Sequence, residues 1–420
     1  MFDIKFIREN IELIKLAVKE KGEDVDIDKF LKLDEERRNL IREGDDLRRE
    51  KKQLSQEVAQ FKRTGKDAFQ LINTSKSLSE KGKKLESELQ KVELEIQEII
   101  KWIPNLAHID VPRNHETVVQ EWGEPKKFDF EPLTADELCD SLGLLDFKRG
   151  SKVAGTNFPC YRGLGARLER ALINFMLDLH IKQGYTEIFP PFLVNRKSMF
   201  GTAQLPKLEE DMYFIPQDGL FLNPTAEVPL VNLHQGETLR GKELPIKYVG
   251  YAASFRREAG SYGKETRGLR RVHQFNKVEL IKFTTPESSY EELESMLQDA
   301  EEVLKLLGLR YRVLLLPVKD LSFASSKTND IEVWTPASGE WLEVSSCSNC
   351  EEFQARRAGI RFKDSVGSKS SFVHILNGSG VATPRIFIAL VEQYQEKDGG
   401  INLPDVLIPY MGGIDKIENK

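Results

Sequence analysis

Apolar residues recur along this chain with two different periods. Between residues 28 and 103 the period is seven. Leu33, Leu40, Leu47, Leu54 and Phe61 stand seven apart, and after Thr64-Gly65-Lys66-Asp67 the count restarts at Leu71, Leu78, Leu85, Val92 and Ile99. Leu89, Ile96 and Ile103 add a second apolar position to the later heptads. A heptad repeat marks a helix seam that needs a partner helix. Two runs of similar length around one turn signal predict an antiparallel hairpin, roughly 50 Å long at 1.5 Å per residue. Pro104 stops the second helix. Ahead of the hairpin, Phe6, Ile7, Ile11, Ile14, Leu16 and Val18 are spaced for the buried face of a short helical segment within residues 1–27.

Residues 104–150, punctuated by Pro104, Pro112, Pro125 and Pro132, read as linker and short elements. From 151 to 420 short β-rich runs dominate: residues 186–189, 220–222, 246–251, 277–283, 311–316, 331–335 and 341–345. Amphipathic helices are expected at 166–180, 288–307 and 385–395. Strands in succession with few helices between them predict an α+β domain, an antiparallel sheet flanked by helices. Alternating βαβ units are absent, which disfavours a Rossmann sheet.

The chain has 420 residues, 40% hydrophobic and 30% charged, with 61 Lys+Arg against 67 Asp+Glu and a net charge of −6. That composition suits a folded protein of about two or three domains. No apolar run approaches the ~18 residues of a membrane span. Four cysteines exclude a disulfide scaffold, and a reducing, cytoplasmic setting is expected. Net acidity argues against a general polyanion binder but leaves room for a local basic surface. The hairpin has one in Arg48, Arg49, Lys51, Lys52, Lys62 and Arg63. Such residues suit either a solvated coiled-coil flank or contacts to a nucleic-acid backbone.

Neither a G-x-x-x-x-G-K-[ST] loop nor a complete G-x-G-x-x-G is present. Cys347 and Cys350 form a C-x-x-C, but no second ligand pair completes a zinc site. Thr225-Ala226-Glu227 sets a hydroxyl and a carboxylate two apart in a loop, a pair suited to an ammonium group. Residues 254–280 are denser in chemistry. Arg256, Arg257, Arg267, Arg270 and Arg271 crowd a hairpin of two short strands, and guanidinium groups bind phosphate bidentately. Strand alternation puts Arg271, His273, Phe275, Lys277 and Glu279 on one face, a platform for a nucleotide. Glu343-Val344-Ser345-Ser346, read as a strand end, offers hard oxygens suited to Mg²⁺. Asn377-Gly378-Ser379-Gly380 reads as a Gly-rich loop before the helix that carries Arg385.

These residues resemble the three motifs of class II aminoacyl-tRNA synthetases. The stretch from Gly184 to Pro190-Pro191 resembles motif 1, which implies a homodimer with Pro191 at its interface. Phe255-Arg256-Arg257-Glu258 through Val272-His273-Gln274-Phe275 resembles motif 2, and Gly378 to Arg385 resembles motif 3. Together with Thr225-Ala226-Glu227, Glu343 to Ser346 and the basic hairpin, the whole chain resembles the bacterial-type seryl-tRNA synthetase family. The resemblance implies L-serine and ATP as substrates, Mg²⁺, and no zinc. It implies tRNA(Ser), and also tRNA(Sec), as partners, with the hairpin lying along the long variable arm of the tRNA. Serine would be held by Thr225, Ala226, Glu227, Glu279, Asn377 and Ser379. ATP would be held by Arg256, Arg257, Glu258, Val272, Phe275, Glu343, Val344, Ser345, Ser346 and Arg385. Arg256 and Arg385 would act on the phosphates, and Glu343 and Ser346 would hold Mg²⁺. Arg257 departs from the family's more usual Ser.

Three rival readings carry distinct expectations. A paralogue that loads a carrier protein should lack the hairpin. A non-catalytic RNA-binding relative should have lost the Arg, Glu and Thr constellation. A threonine or proline enzyme typically adds a C-terminal anticodon domain.

Overall fold

A computed structural model of the chain describes residues 1–259, 268–365 and 367–418. It divides into two compact units, Met1–Pro104 and Asn105–Lys420.

The first unit is helical. Short helices Ile4–Glu9 and Ile11–Glu20 precede two long ones, Ile27–Arg63 and Phe69–Ile100, which pair as an antiparallel hairpin. At 37 residues the longer arm spans about 55 Å. The heptad positions line its seam. Leu33, Val92 and Ile96 are buried, while Leu40, Leu47, Leu54 and Phe61 are half-buried nearer the tip. Arg37 Nε bonds Glu93 Oε1 at 3.0 Å across the pair. At the base Asp34 is buried between Arg8 and Arg38, 3.0 and 3.3 Å away. Leu16 turns to solvent, unlike Ile14 and Val18 of the same helix, because it lies off the face that Ile14, Ala17 and Val18 bury at helical spacing. Arg48, Arg49, Lys51, Lys52, Lys62 and Arg63 are all exposed. Arg48 and Arg49 pair with Asp45 and Asp46 on their own helix.

The second unit is built on an eight-stranded sheet. Its strands run, in spatial order, Thr117–Trp122, Tyr311–Leu315, Lys327–Thr335, Glu340–Asn349, His374–Ala382, Gln274–Thr284, Ile246–Phe255 and Thr186–Glu187. All neighbours are antiparallel except the last pair. Helices Leu164–Lys182, Ser289–Leu306 and Thr383–Gln393 pack on one face. There Leu172, Met296 and Phe387 meet Val278, Leu280 and Ile331 in the main core. The other face is only partly covered. Ile281 and Phe283 lie under a smaller core with Ala226, Leu230 and Ile375. Further along the same strand, Phe275, Lys277 and Glu279 share that face beyond this cover.

Residues 105–150 contribute short elements to the second unit, an edge strand, Thr117–Trp122, and helices Ala135–Ser141 and Phe147–Ala154. Two local expectations are corrected. Glu343 to Ser346 lie inside a ten-residue strand rather than at its end. Asn377 to Gly380 lie in the nine-residue strand His374–Ala382 rather than in a loop. The glycines there serve close packing. A Cβ on Gly378 would meet Met296 Sδ at 2.8 Å, and one on Gly380 would meet His180 Nε2 at 2.7 Å.

Candidate active site

A cleft of about 520 Å³ opens on the uncovered face of the sheet. Strand alternation places Phe275, Lys277 and Glu279 along its floor. On the next strand Asn377 and Ser379 line the same face, and Ser379 pairs with Glu279. A register shift follows, in which three residues of one strand span two of the other, so Ala382 faces the cleft as well. The strand Glu340–Asn349 has a comparable shift. Ile331 opposes Ser345 while Glu332 opposes Glu343, which makes Val344 an extra residue. Glu343 and Ser346 are three apart and in a regular strand would face opposite ways. The bulge brings both to the cleft.

One end of the cleft is rich in paired carboxylates. Thr225 Oγ1 donates to Glu279 Oε2 at 2.6 Å, and Lys277 Nζ lies 2.5 Å from the same oxygen. Glu227 opens a short helix, Glu227–Asn232. Its Oε1 accepts from Gln354 Nε2 at 2.7 Å and from Asn377 Nδ2 at 2.8 Å. Burial, then the negative charge of Glu279, pushes the Glu227 carboxyl up to about 7.

The other end carries the cations. The Arg256 guanidinium lies over the Phe275 ring, 5.2 Å from its centroid, and its Nε donates to the Pro224 carbonyl at 3.3 Å. Glu258 adopts a left-handed φ of 51°, uncommon for a residue with a side chain, and pairs with Arg271 at 3.2 Å. Arg385, in the first turn of Thr383–Gln393, lies 3.2 Å from Glu343 Oε2. Behind them Asp330 pairs across strands with Ser346. Burial, then Glu343, pushes its carboxyl up to about 7.

The cleft thus gathers Thr225, Glu227, Arg256, Glu258, Val272, Phe275, Glu279, Glu343, Val344, Ser346, Asn377, Ser379 and Arg385. Three expected residues do not line it. Ala226 is fully buried in the smaller core. Ser345 faces the other way and donates its hydroxyl to the Ser379 carbonyl at 2.5 Å. Arg257 is exposed, its backbone N–H bonded to Asp211. His273 also falls outside the expected face. It precedes the regular strand, bonds the Arg256 carbonyl at 3.0 Å and rests on Phe158. Arg267 lies outside the described residues. Cys347 is buried, and burial pushes its thiol up to about 12, which disfavours a thiolate ligand. Gln354 was missed because no motif holds it, and on the short helix Phe353–Ala358, which also carries two arginines, one more polar side chain gives no signal.

Comparison with known proteins fits this arrangement. A family described as the tRNA synthetase class II core domain (G, H, P, S and T) matches residues 213–394, and one described as the seryl-tRNA synthetase N-terminal domain matches residues 1–107. The serine--tRNA ligase of Thermoanaerobacter pseudethanolicus is 53% identical over 416 residues, which is 98% of each chain. The chain belongs to the seryl-tRNA synthetase family. The crystal structure of seryl-tRNA synthetase from Pyrococcus horikoshii complexed with ATP is 35% identical, with a TM-score of 0.95 over the whole of both chains. M. kandleri SerRS in complex with A. aeolicus tRNASec shares the fold at 18% identity, with a TM-score of 0.58 over 84% of this chain and 69% of that one. As a member of the seryl-tRNA synthetase family, the chain is an aminoacyl-tRNA synthetase and a ligase. No described helix is long and apolar enough to cross a membrane.

Proposed function

We propose that this enzyme activates L-serine with ATP to seryl-adenylate, then moves the seryl group to the 3′ end of tRNA(Ser), and of tRNA(Sec) where the cell makes one. One observation carries the reading. A single cleft joins a carboxylate-and-hydroxyl end, whose groups suit an ammonium and a hydroxyl, to an arginine-and-phenylalanine end suited to a nucleotide.

At the first end Glu227 and Thr225 hold the serine ammonium. Glu279, Ser379 and Asn377 surround its hydroxyl. Buried polar partners reject alanine strongly, because alanine would leave them unpaired, whereas threonine must be excluded by shape. At the other end Phe275 and Arg385 sandwich the adenine, and Glu258 and the Val272 backbone contact the nucleotide. Arg256 neutralises the α-phosphate. The serine carboxylate attacks the α-phosphorus in line, the bond to the β-phosphate oxygen breaks, and pyrophosphate leaves. Such chemistry needs positioning and charge neutralisation rather than a protein nucleophile. The tRNA hydroxyl then attacks the adenylate carbonyl and AMP leaves.

Glu343 and Ser346 are the residues to hold Mg²⁺. The donor set fits a hard divalent cation: all ligands are oxygens, and Asp330 Oδ1 beside Ser346 is buried without a hydrogen-bond partner. When bound, the ion neutralises charge on the polyphosphate.

The exposed cations of the hairpin suit a tRNA backbone. Phe189, 78% exposed, with exposed Pro191 and Leu193 beside it, supports a homodimer interface in the segment that resembles motif 1. Substrates of protein synthesis imply the cytoplasm.

The test is amino-acid-dependent ATP–pyrophosphate exchange with all twenty amino acids, without tRNA and with Mg²⁺. Exchange with serine alone is expected. Exchange with another amino acid would move the assignment to a sister enzyme, and none from folded protein would favour a non-catalytic relative.

A further inference from the structure

The two oxygens of Glu227 are used unequally. Oε1 accepts from both Gln354 Nε2 and Asn377 Nδ2, at 2.7 and 2.8 Å. Among the described residues Oε2 has no hydrogen-bond donor. Gln354 is only 1% exposed yet reaches the cleft. The orientation of its amide is fixed by a second acceptor. The same Nε2 donates to the Thr202 carbonyl at 3.2 Å, a group that can only accept. Gln354 therefore ties Glu227 to the cleft wall at Thr202, and it belongs to none of the three motifs.

We propose that Gln354 is a positioning residue for amino-acid recognition: with Asn377 it fixes the Glu227 carboxylate, keeps it ionised and reserves Oε2 for the substrate ammonium. This rests on the serine-activating reading above. The charged groups around Glu227 pull in both directions. Burial and Glu279 oppose its ionisation, whereas Gln354, Lys277 and Arg256 favour it. The first pair prevails, so Glu227 titrates near neutrality and one lost hydrogen bond shifts its protonation where the enzyme works. A protonated Glu227 cannot balance the charge of an ammonium group.

Gln354→Met keeps the length and removes the donor. Serine and ATP KM values are measured by pyrophosphate exchange from pH 6 to 8.5, for variant and parent. The serine KM is expected to rise about tenfold at pH 6–7, the worth of one hydrogen bond to a charged group, and to approach the parent value by pH 8.5. The ATP KM stays within about twofold. An unchanged serine KM, a rise independent of pH, or a parallel rise in the ATP KM overturns the inference. If the Met variant fails to fold, Gln354→Asn, one methylene too short, must show the same pH-dependent rise, and a flat ratio there overturns it. Parent protein that does not exchange with serine at all overturns the activation reading instead.

Discussion

Arg385 and Glu343 hold each other at the edge of the cleft: Arg385 Nη1 donates to the Glu343 carbonyl at 2.7 Å and lies 3.2 Å from its carboxylate. In the proposed reaction one faces adenine and the other holds Mg²⁺, so the pair must part as the nucleotide enters. Both side chains are partly solvated, and such pairs are worth about 1 kcal/mol or less, so parting is cheap. Glu343→Gln removes the charge from both roles. The Mg²⁺ concentration for half-maximal exchange is expected to rise about tenfold or more, with the serine KM nearly unchanged. An unshifted Mg²⁺ midpoint would remove Glu343 from the metal role.

Glu169, Glu227 and Asp330 are each pushed up to about 7, in every case chiefly by burial. A carboxyl with a folded value above its unfolded one binds its proton more tightly in the fold. Its contribution to stability is therefore greatest below about pH 4.5 and falls as pH rises toward 7. At neutral pH the ionised Glu227 is a burden on stability retained for function. Glu227→Gln keeps an oxygen for Gln354 and Asn377 and removes the charge. At pH 8 the variant is expected to be more stable by about 2 kcal/mol, a value discounted for the wet cleft, with the difference vanishing near pH 5. Its serine exchange should fall about a hundredfold or more. Denaturant melts at the two pH values test this, and a variant less stable at both would refute it.

The site was legible where chemistry followed the regular strand period. Phe275, Lys277 and Glu279 are two apart on an unbroken strand, so alternation alone set them together. Glu343 and Ser346 are three apart, and only the extra residue at Val344 aligns them. No composition signal marks that bulge, which is why the segment read as a strand end. Gly378 and Gly380 read as loop signals, yet they let a central strand approach Met296 and His180. The hairpin was fully legible because a heptad seam repeats ten times within the chain, whereas Gln354 has no partner nearby in sequence to announce it.

Glu169 connects the helix Leu164–Lys182 to the two segments that resemble motifs 2 and 3. From the helix Leu164–Lys182 its Oε1 accepts from Asn276 Nδ2 at 2.8 Å and from Thr383 Oγ1. Asn276 follows Phe275, and Thr383 precedes Arg385 by two residues, so one carboxylate sets both sides of the proposed adenine site. Glu169→Ala leaves the Asn276 amide without its acceptor, while Thr383 Oγ1 keeps the Asn276 carbonyl at 3.0 Å, and is expected to cost about 1–3 kcal/mol and to raise the ATP KM several-fold. Glu169→Gln retains the acceptor and should stay close to the parent in both. Equal losses in the two variants would mean that charge, not the shared acceptor, is what matters there.

The hairpin cations differ in how free they are to meet a phosphate. Arg48 and Arg49 are paired with Asp45 and Asp46, 2.7 and 3.6 Å away on their own helix, while Lys51 and Lys52 are exposed at 51 and 52 on the next turn. Exposed intrahelical pairs are weak, so a phosphate can displace the aspartates, but each displacement offsets part of the gain. Each cation that neutralises a phosphate releases counterions and steepens the dependence of binding on salt. Replacing both Lys51 and Lys52 by Ala should weaken tRNA binding and reduce the slope of log affinity against log salt by about 1–2. Replacing Asp45 and Asp46 by Asn should have the opposite effect on affinity by freeing the two arginines. Serine-dependent pyrophosphate exchange, which needs no tRNA, should be unchanged in all of these variants. Salt titrations of tRNA binding decide it: an unchanged slope with the lysines removed would mean that this face of the hairpin does not touch the tRNA backbone.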